Sequence, residues 1–174
     1  MTPKRAVFMK AFKIILVSFI MFSLHAQGDQ LVLSSHLKLE YPAPILISHT
    51  ENRLIIKYKD TAISHNIVNP KTMYPNIDLS GYHINYIYTL FDKKIDAALP
   101  TVINELANQQ KEIMGLNKQQ GYLKTTQYYQ LLASYDPKNQ IAHVFIIEEN
   151  KTHHLAIDGN QDYLYKIING IKVR

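Results

Sequence analysis

Histidines and carboxylates are the side chains of this sequence best suited to acid–base or metal chemistry: eight His and fourteen Asp and Glu in 174 residues. His25 belongs to an apolar N-terminal segment, which leaves His36, His49, His65, His83, His143, His153 and His154. A zinc site takes two or more His or carboxylates at spacings such as i and i+4 on a helix or i and i+2 on a strand. None of these His pairs has either spacing. His153 and His154 are adjacent, and adjacent side chains on a strand point to opposite faces. A site built from separate strands, His143 with His153, requires those strands to be neighbours. His143 sits in an apolar run and reads as a hydrogen-bonded core histidine. Glu148 and Glu149 fall at a strand end beside a turn, where solvated charge is normal. A glycosidase needs two carboxylates facing one cleft, and no spacing sets Glu148 against Asp60, Asp136 or Asp158. The G-x-S-x-G elbow of serine hydrolases is absent: Ser64-His65 is a dipeptide, and Ser80-Gly81 lacks the second glycine. Gly159 is a lone turn glycine, with no phosphate-cradling run around it. Cysteine is absent, which removes thiolate nucleophiles and thiolate metal ligands. The expectation is therefore no catalytic constellation, no metal ligands and no cofactor.

Tyrosine is the residue type that points to binding. The chain has 12 Tyr and no Trp. Tyr82, Tyr86 and Tyr88 cluster, and so do Tyr122, Tyr128, Tyr129 and Tyr135. A tyrosine offers apolar area and one hydroxyl, so exposed clusters mark recognition surfaces, whereas in a sheet they pack with their hydroxyls at the rim. Tyr82, Tyr86, Tyr88, Tyr128 and Tyr129 are the candidate binding residues.

The elements that must carry these residues follow from periodicity and turn chemistry. Residues 31–41 read as a strand with imperfect alternation, ended by Pro42 and Pro44. Ile45 to His49 and Arg53 to Lys59 read as a hairpin joined by Thr50-Glu51-Asn52. Ala62 to Val68 is a further strand, closed by Asn69-Pro70. Pro70, Pro75 and Gly81 mark a loop over 70–81. Tyr82 to Ile95 fits both a helical stripe and a strand face. The smooth continuation Asp92-Lys93-Lys94-Ile95-Asp96-Ala97-Ala98 favours helix. Pro100 to Met114 is helical, with Pro100 at its start and Gly115 as its cap. Tyr122 to Thr126, Tyr128 to Tyr135, Ile141 to Glu148 and Thr152 to Ile157 read as strands. The nearly all-apolar Ile141 to Glu148 belongs inside the sheet. Asp158-Gly159-Asn160 opens a last helix with Tyr163, Leu164, Ile167, Ile168 and Ile171 on its core face. This order predicts an α+β fold: an antiparallel sheet with two or three helices packed on it.

Residues 9–28 read as an export signal. Lys10 and Lys13 form the positive region, Ile14 to Leu24 is an 11-residue apolar run, and Ala26-Gln27-Gly28 supplies small residues for cleavage. A membrane-spanning helix needs about 20 apolar residues, so a retained anchor is the weaker reading. Met9 opens a more typical signal than Met1. The expected division is 1–28 signal peptide and 29–174 a single globular domain. Lys4, Arg5, Lys10 and Lys13 all lie in the signal, and no acid does. They take four of the 19 basic residues and leave 15 against 14 acidic ones, so a net charge of +5 becomes +1. The pI near 9.2 thus describes the leader and gives no reason to expect a nucleic-acid partner.

The C-terminal half from Gly121 to Lys172, through the runs IAHVFIIEEN and KTHHLAIDGNQDYLYKIINGIK, resembles the closing strand, strand and helix of PsbP- and Mog1-like small exported domains. That resemblance is one of hydrophobic outline and transfers no functional residues. It implies an antiparallel sheet with helices on its faces and an accessory or binding role rather than an enzymatic one. The expected function is an exported, periplasmic or secreted, non-enzymatic accessory or binding protein acting on a protein or envelope component. It would touch a membrane only through an uncleaved signal. The alternatives are a small extracytoplasmic hydrolase with a His/carboxylate site assembled by the fold, and an inhibitor or immunity protein.

Overall fold

The computed structural model describes residues 29–94 and 98–174. The signal segment, and part of the stretch read as continuing the first helix, lie outside them. Among the described residues no helix is long and apolar enough to cross a membrane.

The α+β architecture is as expected, and its strands form two sheets. The larger has seven antiparallel strands in the order β3 (Leu46–Thr50), β4 (Arg53–Lys57), β5 (Ala62–Ile67), β9 (Thr152–Asp158), β8 (Ile141–Ile147), β7 (Gln130–Asp136) and β6 (Tyr122–Thr125). The smaller pairs β1 (Asp29–Val32) and β10 (Ile171–Val173) with β2 (Leu37–Tyr41). The helices among the described residues are α1 (His83–Leu90), α2 (Thr101–Ile113) and α3 (Gln161–Gly170).

Alternation along the strands sorts side chains onto two faces, and each face has its own core. On one, Ile56, Ile63, Leu131, Val144, Ile146, Leu155 and Ile157 pack under the small sheet (Leu37, Leu39) and α3 (Leu164, Ile167, Ile168). On the other, Leu132, Phe145 and Ile147 pack under Tyr86, Ile87 and Leu90 of α1 and Ile103 and Ala107 of α2. Strand β8 lies between β9 and β7 and is buried on both faces from Val144 to Ile147, which is why its sequence shows almost no polar alternation. Asn160 caps α3, its side-chain oxygen accepting from the amides of Asp162 (3.1 Å) and Tyr163 (3.3 Å).

Four local readings are corrected. The strand expected over 31–41 is a hairpin: residues 33–36 turn back so that Leu31 faces Leu39. The Ser34 hydroxyl accepts from the amides of His36 and Leu37, a side-chain turn that competes with the ladder. The first helix stops at Phe91, and Asp92 sits at φ 53°, so it does not continue through Lys93 and Lys94. Tyr128 and Tyr129 are not in a strand: Thr126 Oγ1 accepts from both their amides and β7 starts at Gln130. Finally, Ile171 leaves the helix to begin β10, an unforeseen strand that ties the C-terminus to β2.

Gly115 ends the α2 region at φ +73°, and a Cβ there would stand 2.6 Å from the Tyr135 carbonyl oxygen and 2.9 Å from Asp136 Cα. Gly81 has nearly the same φ, +78°, and open space around it. Gly81→Ala should cost only the left-handed penalty, about 1–2 kcal/mol. Gly115→Ala should cost clearly more, because backbone must move as well. Urea titration of the two variants checks this, and equal losses would show that the α2–β7 junction yields freely.

Candidate functional site

Three turns meet at one end of the large sheet. The β1–β2 turn brings Ser34 and His36, the β6–β7 turn brings Tyr128, and the β8–β9 turn brings Glu148, Glu149 and Lys151. Together they line a cleft of about 260 Å³. The His36 and Tyr128 rings stack across it, with centroids 6.3 Å apart and planes 19° from parallel.

A chain of hydrogen bonds runs inward from this cleft. Ser34 Oγ donates to Glu148 Oε1 at 2.8 Å. The other carboxylate oxygen, Oε2, lies 2.9 Å from His153 Nε2. His153 Nδ1 lies 3.0 Å from His65 Nε2. The strand register explains this path. Ile146 faces His153 and His65 faces Leu155, so Glu148, His153 and His65 are successive diagonal neighbours on one face of β8, β9 and β5.

Burial sets the electrostatics. His153 is completely buried and the Glu148 side chain is 9% exposed. A carboxylate only accepts, so His153 Nε2 carries a proton. With His153 neutral, its Nδ1 accepts from His65 Nε2–H. With His153 protonated, it donates at both nitrogens and His65 Nε2 accepts. The link is continuous in either state. Burial, and secondly any positive charge on His153, pushes His65 down to about 4.

A second pair occupies the opposite face. His143 Nδ1 and His154 Nε2 are 3.0 Å apart, and the His154 ring stacks on Phe145 at 4.7 Å. Burial, then the charges of His143, Arg53 and His65, lowers His154 to about 3. Burial also lowers His143, partly opposed by Asp136. His143 therefore partners His154, not His153, while His153 and His154 point to opposite faces as adjacent strand residues must. Among the described residues no three His, Asp or Glu side chains are grouped to hold a metal ion.

The candidate tyrosines are distributed unevenly. Tyr82 and Tyr128 are 40% and 48% exposed, whereas Tyr86 and Tyr129 are core residues at 0% and 5%. Tyr86 bonds the Tyr74 hydroxyl at 2.6 Å, and Tyr88 donates to Gln130 Oε1 at 2.9 Å. Only Tyr128 of the five lines the cleft.

Chemically, this is a polar cleft whose floor is held from within. Ser34 gives its proton to Glu148 rather than to an imidazole, so the Ser–His–acid order of an acyl-transfer triad is not formed. The reading of Glu148 as simply solvated is thereby corrected. Alternation could have signalled it, because Glu148 follows Val144 and Ile146 on the face of β8 that packs under the small sheet and α3. Ser34 carried no signal beyond the broken alternation of its segment.

Fold and site together define an α+β protein with a part-buried Ser–Glu–His–His chain reaching a surface cleft. No family model matches this chain, and neither a curated protein nor a solved structure matches it.

Proposed function

We propose that this is an exported, non-enzymatic binding protein, periplasmic or secreted, that engages a protein or envelope component at the cleft between His36 and Tyr128. The observation that carries the reading is Tyr128, 48% exposed and stacked on His36, above a floor whose Ser34 and Glu148 already satisfy one another. A rigid aromatic beside fixed polar groups is suited to recognition, since little side-chain entropy is lost on contact. The signal-like segment 9–28 and the resemblance of the C-terminal half to PsbP- and Mog1-like domains support the same reading. A photo-crosslinking amino acid placed at Tyr128 in cells should give a discrete adduct. Placed at Tyr165, exposed on α3, it should give none. No adduct at 128, or the same adduct at both positions, would overturn the reading.

The convergence of His65 and His153 with Glu148 favours a second reading, a small hydrolase working from the same cleft. It expects ester or amide turnover by the wild type that Glu148→Gln abolishes while the fold persists. Equal turnover in the two proteins would remove it.

A further inference from the structure

A second concavity, of about 380 Å³, lies on the same face of the large sheet as Glu148, His153 and His65 but at its other end, beneath α3. Its floor is apolar: Ile63, Ile157 and Ile167 are 1%, 1% and 6% exposed. Its walls are Ile45 and Tyr163, and Ile45 stands 69% exposed at the opening. The mouth is cationic on balance, since Lys59 and Lys166 face a single carboxylate, Asp60. Lys166 Nζ is held 5.0 Å from the centroid of the Tyr163 ring, a cation–π contact that steadies the ammonium at the rim.

We propose that this groove binds a free fatty acid of medium chain length, its acyl chain against Ile63, Ile157 and Ile167 and its carboxylate between Lys59 and Lys166. Two features support that occupant over others. Each methylene leaving water for an apolar wall contributes about 0.8 kcal/mol, and Thr61, a polar side chain deep in the lining, already donates its hydroxyl to the Asp158 carbonyl. Lys59 and Lys166 outnumber Asp60 among the charged residues of the lining, so an anion is favoured over a neutral or cationic head. The groove is separate from the His36–Tyr128 cleft, and the inference does not depend on the function proposed for that cleft.

Calorimetric titration tests the assignment, using the protein purified without detergent in the form in which it accumulates, with decanoate as the probe. Saturable one-to-one binding is expected, with decanol at least tenfold weaker. Ala43→Trp places an indole at an exposed lining position and should abolish binding. The double variant Lys59→Gln, Lys166→Gln changes only exposed side chains and should bring decanoate down to the level of decanol, so the proposal stays testable if the indole disturbs folding. No saturable binding below the micelle-forming concentration, or unchanged affinity in a folded Ala43→Trp protein, would overturn the site. Decanol binding as tightly as decanoate, or a tripeptide with an apolar C-terminal residue binding more tightly than either, would overturn the fatty-acid assignment.

Discussion

Between pH 7 and pH 3 the folded protein should lose several kcal/mol of stability, most of it through two histidines on opposite faces of the central strands. His65 is lowered to about 4 and His154 to about 3 by burial and by neighbouring positive charge. An unfolded chain protonates histidine near pH 6.5. As pH falls below that value the unfolded state takes up protons that the native state refuses, so the native state loses ground. The contribution is fully present above about pH 6.5 and falls away as pH drops toward 4 for His65 and toward 3 for His154. A tenfold difference in proton affinity is about 1.4 kcal/mol, so each site contributes on the order of a few kcal/mol, a sizeable share of the 5–15 kcal/mol that holds a typical domain. His83 and His143 are lowered by burial too and add in the same direction. The carboxyl groups of Glu40, Asp78 and Asp136 are also lowered, by Lys38, by Ser80 and by the Lys138 amide respectively, but they act only once pH falls below the ordinary carboxylate range. Urea titrations from pH 7.5 to 4 should show the midpoint falling steadily below pH 6.5. In His154→Gln the slope should lessen, because the group that refuses the proton is gone. A midpoint that stays level from pH 7 to 4.5 would mean that both rings are solvated enough to protonate in place.

How much of this was legible in the sequence depends on how far apart in the chain the partners are. The β8–β9 hairpin was legible because Glu149-Asn150-Lys151 is turn chemistry between two apolar runs. That hairpin already brings Glu148 close to His153, five residues on. The pairing of β5 with β9 was not legible. It joins His65 to His153 across 88 residues, and nothing in Ala62–Ile67 selects β9 over another strand of similar pattern. Ser34 was hidden for a related reason: its role depends on the β1–β2 turn closing over the large sheet, 114 residues away in sequence from Glu148. Tyr86 and Tyr129 show the opposite limit. Composition marks tyrosine as amphipathic without saying which end meets water, and Tyr86 satisfies its hydroxyl inside the core on Tyr74. Of the helix stripe Ile84, Ile87, Tyr88, Phe91 and Ile95, the first four pack in or against the core as their spacing implies, and Ile95 lies outside the described residues. The helix end at Phe91 is set by Asp92 taking φ 53°, a backbone choice that apolar spacing does not encode.

Glu148→Ala should destabilise the protein by roughly 3 kcal/mol and loosen the β1–β2 turn before it unfolds the sheet. Removing the carboxylate strands the Nε2–H of His153, a ring with no exposure at all, and takes the acceptor from Ser34 at the cleft wall. A buried donor left without an acceptor costs about 1–3 kcal/mol. Glu148→Gln should cost less, because an amide keeps one acceptor for His153 and turns its NH₂ toward the Ser34 oxygen. That oxygen already accepts from the amides of His36 and Leu37 at 3.1 Å each, so the exchange is imperfect and stability should rank wild type, Gln, then Ala. Ser34→Ala removes the partner from the other side. A double-mutant cycle with Glu148→Ala should therefore return a coupling between the two sites within the 0.5–3 kcal/mol range of contacting residues. Amide hydrogen exchange distinguishes local release from global weakening. In Glu148→Ala the amides of His36 and Leu37 should exchange much faster than expected from the overall loss of stability, while those of Val144 and Leu155 should follow that loss. Stability within 0.5 kcal/mol of wild type for Glu148→Ala would show that the Ser34–Glu148–His153 chain does not hold this end of the sheet. The cleft floor would then be free to move, and a rigid recognition site between His36 and Tyr128 would lose its support.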